Sequence, residues 1–580
     1  MPPPMTSQRP SEIEKVIVVL GLALVALLAY AMYRNGGSIT GPFIFGDELE
    51  YFSYGRDLFL RADLSQHTQY GPLYPAIAAF LFHFGTAENV YLALRVFNIV
   101  VLASSAIPAY LLARAMFPND MAIRITFSLF AAATPFTGFG YVIWADPLYY
   151  ALFLWVVHFL YCFYREPGLT SGIVSGLLLA LLFHAKPGAG VVVEVAAFVS
   201  VLALLALSPR GSRRRGLWPI LALLLSCAAL TIPGIIRNLS LGVGPIGYAY
   251  ASTELASRIG ELGRGQIAKQ IFSSAFYQLS YLFVGTWGLL GVLAVMPASR
   301  WNSLPLELRV ILIFVTTCMA GLVAMSAVGM NAFRGLGYWM PNGRYLGVLF
   351  PATILVALRL LTEDAIPKRL EKQGLAMVAT VLAVIAALAT PLHVVAPYSF
   401  VNNPDLALVT WLIDKGSVAW RGRYEPTLFQ CIAFASLFGT LGVAWAFASK
   451  WRGAVLFLGA LVLVANIVVS VAEHRYVRIL GETQAALNHT IRFLSRQGAD
   501  LEDEVIFDRK LEGGNVLNIA RFWSHRVTNV HHLTAGQALE RSWETTAPRF
   551  FVSQEDLALP KVFGTKGMFV YVLNAPKGAP

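Results

Sequence analysis

Runs of mostly apolar residues, each near the length that crosses a hydrocarbon core, recur at about 14–33, 89–112, 122–141, 145–164, 169–184, 188–208, 217–236, 271–296, 310–329, 344–361, 375–396, 426–448 and 453–472. Polar or charged segments separate them. The pattern predicts an α-helical polytopic membrane protein of about 13 transmembrane helices over residues 1–472. One further run, Pro72 to Phe84, holds 13 residues with Pro75 inside it and reads as an interfacial or re-entrant helix within the loop 34–88. The first run is followed by Arg34 and has no small-residue cleavage site, which predicts a retained helix.

Beyond residue 472 the pattern changes. Glu504 to Asp508, Arg549 to Val552 and Met568 to Leu573 read as strands, and Gly514 to Trp523 as a helix. Residues 473–580 hold 13 Lys/Arg and 12 Asp/Glu, so a small soluble α/β domain is expected there. No internal repeat of fixed period is visible.

Composition agrees with the span pattern. The chain has 580 residues, 57% of them hydrophobic and 13% charged, about half the charged share of a soluble protein. Cys162, Cys227, Cys318 and Cys431 lie in apolar runs without C-x-x-C spacing, so neither a disulfide framework nor a zinc site is indicated.

The net charge of +11 suggests nucleic acid until it is located. With the N-terminus cytoplasmic, Arg114, Arg124, Arg165, the run Arg210 to Arg215, Arg300, Arg309, Lys368, Arg369, Lys372, Lys450 and Arg452 all fall on one side. The excess is a topology signal, and no nucleic-acid partner is implied. An odd span count then puts the C-terminal domain outside, with the loops 34–88, 142–144, 185–187, 237–270, 330–343 and 397–425.

Two acids stand in those outward loops. Asp47, followed by Glu48 and Glu50, precedes an amphipathic stretch; Asp146 precedes Pro147 at the mouth of a hairpin. Both positions also suit plain helix starts, where a carboxylate caps or complements the dipole. Lys186 before Pro187 suits either a snorkelling cation or an irregular backbone lining a cavity. Glu194, inside a span, must be paired or face the bundle. His67 and His184 are outward, but no tight ligand spacing supports a metal, and a divalent cation is not indicated by spacing. His531 and His532 read as a solvated loop. Aromatic residues near span ends, including Trp144, Trp287 and Trp339, are first a membrane belt.

The ordered segments G-D-E-x-x-Y, Q-Y-G-P-L-Y-P, L-L-A-R, A-D-P-L, H-A-K-P-G and N-G-R-Y-L over residues 14–361 resemble the GT-C glycosyltransferases. The nearer resemblance is to the bacterial branch of protein mannosyltransferase-like and aminoarabinose-transferase-like enzymes. It implies transfer of a sugar from a polyprenyl-phosphate carrier to a glycan, lipid or protein acceptor, in a bacterial inner membrane with the C-terminal domain periplasmic or extracellular. Asp47, with Glu48 beside it, and Asp146 match the family's loop acids; Lys186 and Arg344 match its basic positions, and with a sugar substrate implied, Tyr51, Tyr70, His67 and Trp144 are the residues expected to contact the sugar or acceptor. Where the aminoarabinose-transferase-like members carry a Glu-Lys pair before a Pro-Pro segment, this chain has Gln69, Tyr70, Gly71 and Pro72. An identical donor, or a metal site built on that Glu, is therefore not implied.

The chemistry stands on its own terms too. A sugar on a lipid phosphate already has a stable anionic leaving group, so one general base suffices, and attack opposite the phosphate inverts the anomeric carbon. Cations would stabilise the departing phosphate, and Lys186, Arg344, Arg56 and Arg237 are the outward candidates, with Arg61 and Arg334 further ones. Two other classes fit the apolar pattern: a polytopic transporter or lipid-sugar flippase, and a non-catalytic assembly subunit. Paired halves and midplane charges would favour the transporter. Loss of Asp47 or Asp146 would favour the subunit; both are present.

Overall fold

The computed structural model describes residues 12–35, 46–61, 70–132, 143–242, 244–245, 249–286, 289–290, 293, 301–332, 343–362, 485–501, 503–511, 516–523, 530–540, 550–565 and 568–573. The predicted spans 375–396, 426–448 and 453–472 lie outside them.

The membrane part runs α1 (Glu12–Asn35), α2 (Gly46–Arg61), α3 (Leu73–Phe82), α4 (Ala87–Ser104), α5 (Ala106–Met116), α6 (Met121–Ala132), α7 (Asp146–Arg165), α8 (Leu169–Ala185), α9 (Pro187–Leu207) and α10 (Arg210–Ser240). It continues with α11 (Ala249–Leu262), α12 (Arg264–Gly285), α13 (Leu306–Ala332), α14 (Gly343–Leu346) and α15 (Leu349–Thr362). Among the described residues, five helical segments are long and apolar enough to cross a membrane: Ala87–Met116, Asp146–Arg165, Pro187–Leu207, Gly216–Ser240 and Leu306–Gly329. This is a helical membrane protein; the described residues do not extend to a count of 13 spans.

Local sequence explains the shapes. The predicted span 89–112 is α4 and α5 joined at Ser105, because Pro108 has no N–H to continue the helix and clashes with the preceding turn. Ser105 fills the gap by donating to Leu102 O at 2.5 Å. The α8–α10 contact is a small-residue seam. A Cβ on Gly172 would come 2.4 Å from Pro219 O, and one on Gly176 would come 2.3 Å from Leu223 O. Glu194 resolves as a structural contact across α9 and α10, accepting from Thr231 Oγ1 at 2.6 Å.

The bundle has two chemically different ends. At one, Arg124 donates to Phe117 O at 2.9 Å and Arg359 lies over the Phe117 ring. Those are residues of the basic, inward-assigned loops and of the last turn of α15. At the other end, α3 packs on α2, α4 and α8, and Glu48 of α2 reaches the segment just before α7. Gly55 makes the α2–α3 crossing possible, since a Cβ there would sit 2.4 Å from that of Ala78.

The C-terminal part carries a helix over residues 485–496, strands β1 (Val505–Asp508), β2 (His531–Leu533), β3 (Phe550–Ser553), β4 (Lys561–Thr565) and β5 (Met568–Val572), and helices α16 (Val516–Trp523) and α17 (Ala535–Glu540). The sheet order is β2-β1-β3-β5-β4, with β1 parallel to β2 and β3, and β5 antiparallel to β3 and β4. The three expected strands and the helix are present. His531 and His532 are a correction: they form β2, pairing with Ile506 and Phe507, rather than a loop. A His-His pair lacks the apolar alternation that marks a strand, and its ladder partners come from distant sequence.

Candidate functional site

The site gathers at the starts of α2 and α7, which carry Glu48 and Asp146. Pro147 sits in the first turn of α7, with Ala145 as the N-cap and no side-chain cap hydrogen bond. Asp146 is the first residue of the helix rather than its N-cap. Its Oδ1 lies 2.6 Å from Lys186 Nζ, with both side chains almost completely buried. Pro187 accounts for the cation's placement: a following proline disfavours the helical region, and Lys186 adopts φ −146° and ψ 91° between α8 and α9. That break turns Lys186 inward, where its ammonium lies 4.1 Å from the Tyr345 ring centroid and 6.0 Å from that of Tyr149.

Asp47 and Glu48 open α2. Glu48 is fully buried. Its Oε1 accepts from Tyr91 OH at 2.9 Å and from Ile143 N at 3.0 Å. These bonds tie the start of α2 to α4 and to the segment just before Asp146. One turn along, Tyr74 OH donates to Asn98 Oδ1 at 3.1 Å, and Asn98 Nδ2 donates to Trp144 O at 3.3 Å. Tyr91, Arg95 and Asn98 occupy one face of α4, and Arg95 is only 1% exposed.

A cavity of about 210 Å³ adjoins this network, lined by Tyr70, His184, Pro187, Pro233, Gly234 and Arg237, among others. Gly71 lets the chain pass beneath it, since a Cβ there would stand 2.0 Å from His184 O. Arg237 donates through Nη2 to Tyr54 OH at 2.8 Å and through Nη1 to Asn238 Oδ1 at 3.4 Å. Burial pushes the Tyr54 phenol above its usual pKa, with the Arg237 charge acting the other way.

The predicted residues thus divide. Glu48, Asp146, Lys186, Arg237, Tyr51, Tyr70 and Trp144 come together around α2, α7 and the α8–α9 break. Tyr51 packs on Tyr70 at 4.7 Å between centroids, and Trp144 is fully buried rather than presented at a membrane belt. Arg237 stands in the last turn of α10 rather than in a loop. Arg344 belongs to α14, next to Tyr345. Asp47 stands in the first turn of α2. Arg56 lies apart from the cavity lining, donating to Phe522 O at 3.3 Å, and burial pushes its guanidinium pKa down. His67 lies outside the described residues. Among the described residues no group of three His, Cys, Asp or Glu side chains is placed to hold a metal ion.

Sequence reasoning missed Tyr74, Tyr91, Arg95, Asn98 and Tyr345. A signal existed for two of them: Arg95 and Asn98 are polar residues inside the apolar run 89–112, one turn apart, where polar groups are costly unless they serve a buried network.

Fold and site together define a helical membrane protein with a buried acid–base cluster at one end of its bundle. No protein-family model matches the chain, and no curated protein matches it. Among solved structures, ArnT from Cupriavidus metallidurans in the apo state aligns over 97% of this chain and 99% of its own, at 14% identity and a TM-score of 0.48. The same protein bound to undecaprenyl phosphate aligns over the same shares at 13% identity and a TM-score of 0.48. Arabinosyltransferase EmbB from Mycobacterium smegmatis aligns over 80% of this chain and 41% of its own, at 14% identity and a TM-score of 0.43. At such scores the chemistry rests on this chain's own residues.

Proposed function

We propose that this chain is a membrane glycosyltransferase that moves a sugar from a polyprenyl-phosphate carrier to an acceptor hydroxyl on the extracytoplasmic face of a bacterial inner membrane. One observation carries the reading: the acids of two separate outward loops converge, Glu48 taking Ile143 N three residues before Asp146, beside a cavity lined by Arg237. Charges this costly to bury at one end of an apolar bundle suit a site for a charged, membrane-borne substrate.

Roles follow from how each group is engaged. Asp47 is the general base, taking the acceptor's proton as its oxygen attacks the anomeric carbon; the sugar–phosphate bond breaks on the opposite face, and the product is inverted. The leaving lipid phosphate takes the electron pair, stabilised by Arg237 and Arg344. Glu48, whose carboxylate accepts two hydrogen bonds, is a positioning residue. Asp146 and Lys186 neutralise one another and hold the α7 and α9 starts in register.

The test uses purified full-length protein and a radiolabelled polyprenyl-phosphate sugar, with Asp47→Asn beside the unmodified chain. Release of lipid phosphate should fall by about a thousandfold while donor binding persists, the order of a lost general base together with its electrostatic help. Equal release by both proteins removes Asp47 from the mechanism. Vesicle uptake of the lipid-linked sugar without any transfer would support the flippase instead.

A further inference from the structure

Phe522 belongs by sequence to the C-terminal domain but by packing to the membrane bundle. It lies on α16, and it is fully buried in the hydrophobic cluster of the membrane helices rather than in the core of its own sheet. Its ring sits 4.5 Å from that of Phe52 on α2 and 5.6 Å from that of Tyr91 on α4, nearly perpendicular to the latter. The edge-to-face contact with Tyr91 has a preferred geometry and so favours one ring orientation as well as a spacing, while the Phe52 ring is tilted by 36°. Its backbone carbonyl accepts the Arg56 hydrogen bond from the next turn of α2. A second clamp closes beside it: Arg492 pairs with Glu88, one turn before Tyr91, while its guanidinium lies over the Trp523 ring.

The two helices that Phe522 touches carry the two partners of one hydrogen bond. Glu48 stands one turn before Phe52 on α2, and Tyr91, whose hydroxyl donates to Glu48, stands on α4. We infer that the C-terminal domain is a positioning element for the buried carboxylate, with Phe522 as a wedge that sets the α2–α4 spacing and thereby the Tyr91–Glu48 hydrogen bond. The inference deepens the transferase reading and rests on it for its catalytic consequence, because Glu48 adjoins the proposed base Asp47. Docking of the outer domain and readiness of the acid cluster are then one event.

The experiment reads the carboxylate directly. Full-length protein in detergent is treated with a hydrophobic carbodiimide, and modification of Glu48 is followed by peptide mass spectrometry in the unmodified chain, Phe522→Ala, Phe522→Leu and Lys561→Ala. Lys561 is exposed on the edge strand β4, where it pairs with Asp556 and lies over the Phe569 ring. Labelling should rise about tenfold in Phe522→Ala as local opening becomes easier, less in Phe522→Leu, and not at all in Lys561→Ala. In transfer assays Phe522→Ala should lower kcat with donor KM nearly unchanged, and Leu should restore part of it. Should Phe522→Ala fail to fold, the Leu variant still reports the graded change. Unchanged Glu48 labelling in the folded Phe522 variants overturns the wedge, and so does an equal rise in Lys561→Ala. If labelling follows the expected order but the unmodified protein transfers no sugar, the wedge stands and the transferase reading falls.

Discussion

Lys186 Nζ lies 2.6 Å from Asp146 Oδ1, so the helix break at Pro187 and the first residue of α7 share one buried ion pair. Removing one partner strands a charge in the bundle. Lys186→Met or Asp146→Asn should each cost about 3–5 kcal/mol, whereas the double variant should lose much less than their sum, because no uncompensated charge remains. Thermal unfolding of the four proteins in one detergent checks this. Additive losses would show that the two side chains do not interact.

Glycine supplies a sharper steric contrast. Gly71→Ala places a Cβ 2.0 Å from His184 O, a backbone atom that cannot swing aside. The segment before α3 must lift off α8, and the overpacking should cost about 1–3 kcal/mol or more and weaken ligand binding in the adjoining cavity. Gly260 on α11 has nothing within 4 Å of the same construction. Gly260→Ala should therefore be neutral or stabilise by up to about 1 kcal/mol through helix propensity. Equal melting points for the two variants would contradict the close approach at Gly71.

Much of this was legible in the chain, for a physical reason. A bilayer demands long apolar runs, so α4 with α5, α7, α9, α10 and α13 announce themselves, and Pro147 and Pro187 mark where helices must start. Lys186 and Asp146 were each visible as polar residues beside a proline. Their pairing was not, because it joins residues 40 apart and depends on how α7, α8 and α9 pack. Equally hidden was β2, whose ladder to β1 spans 25 residues, as Ile506 with His531. Hidden too was the hydrogen bond from Arg56, on the amphipathic α2, to the Phe522 backbone carbonyl 466 residues later.

Arg237 is the cation of the cavity lining, and Tyr54 holds it. Arg237→Gln should raise the donor KM by about tenfold or more through loss of a charge-assisted contact to phosphate. Tyr54→Phe should do so by less, since the charge remains. Because burial raises the Tyr54 pKa above 10, the phenol stays neutral throughout the range in which a phosphate monoanion is bound. Donor affinity in the unmodified protein should thus show no break from this tyrosine below pH 10, and loss of affinity begins only as the phenolate forms above it. Calorimetric titration with a short-chain polyprenyl phosphate measures both; an Arg237→Gln protein that binds normally would move the phosphate elsewhere.

Glu48 and Asp47 are neighbours with opposite expectations. Glutamine at 48 keeps a carbonyl oxygen that can accept from both Tyr91 OH and Ile143 N, so Glu48→Gln can keep these two hydrogen bonds while removing the charge. Alanine leaves a buried hydroxyl and a buried amide without that acceptor, at about 1–3 kcal/mol each. If Glu48 positions the loop, the Gln variant should keep activity within about tenfold of the unmodified chain and its melting point nearly unchanged, while Glu48→Ala should lose both. Asp47→Asn should behave differently: stability retained, transfer gone. Were Glu48→Gln as inactive as Asp47→Asn at unchanged stability, proton transfer would belong to Glu48, and the buried carboxylate would have to shed a hydrogen bond when substrate binds.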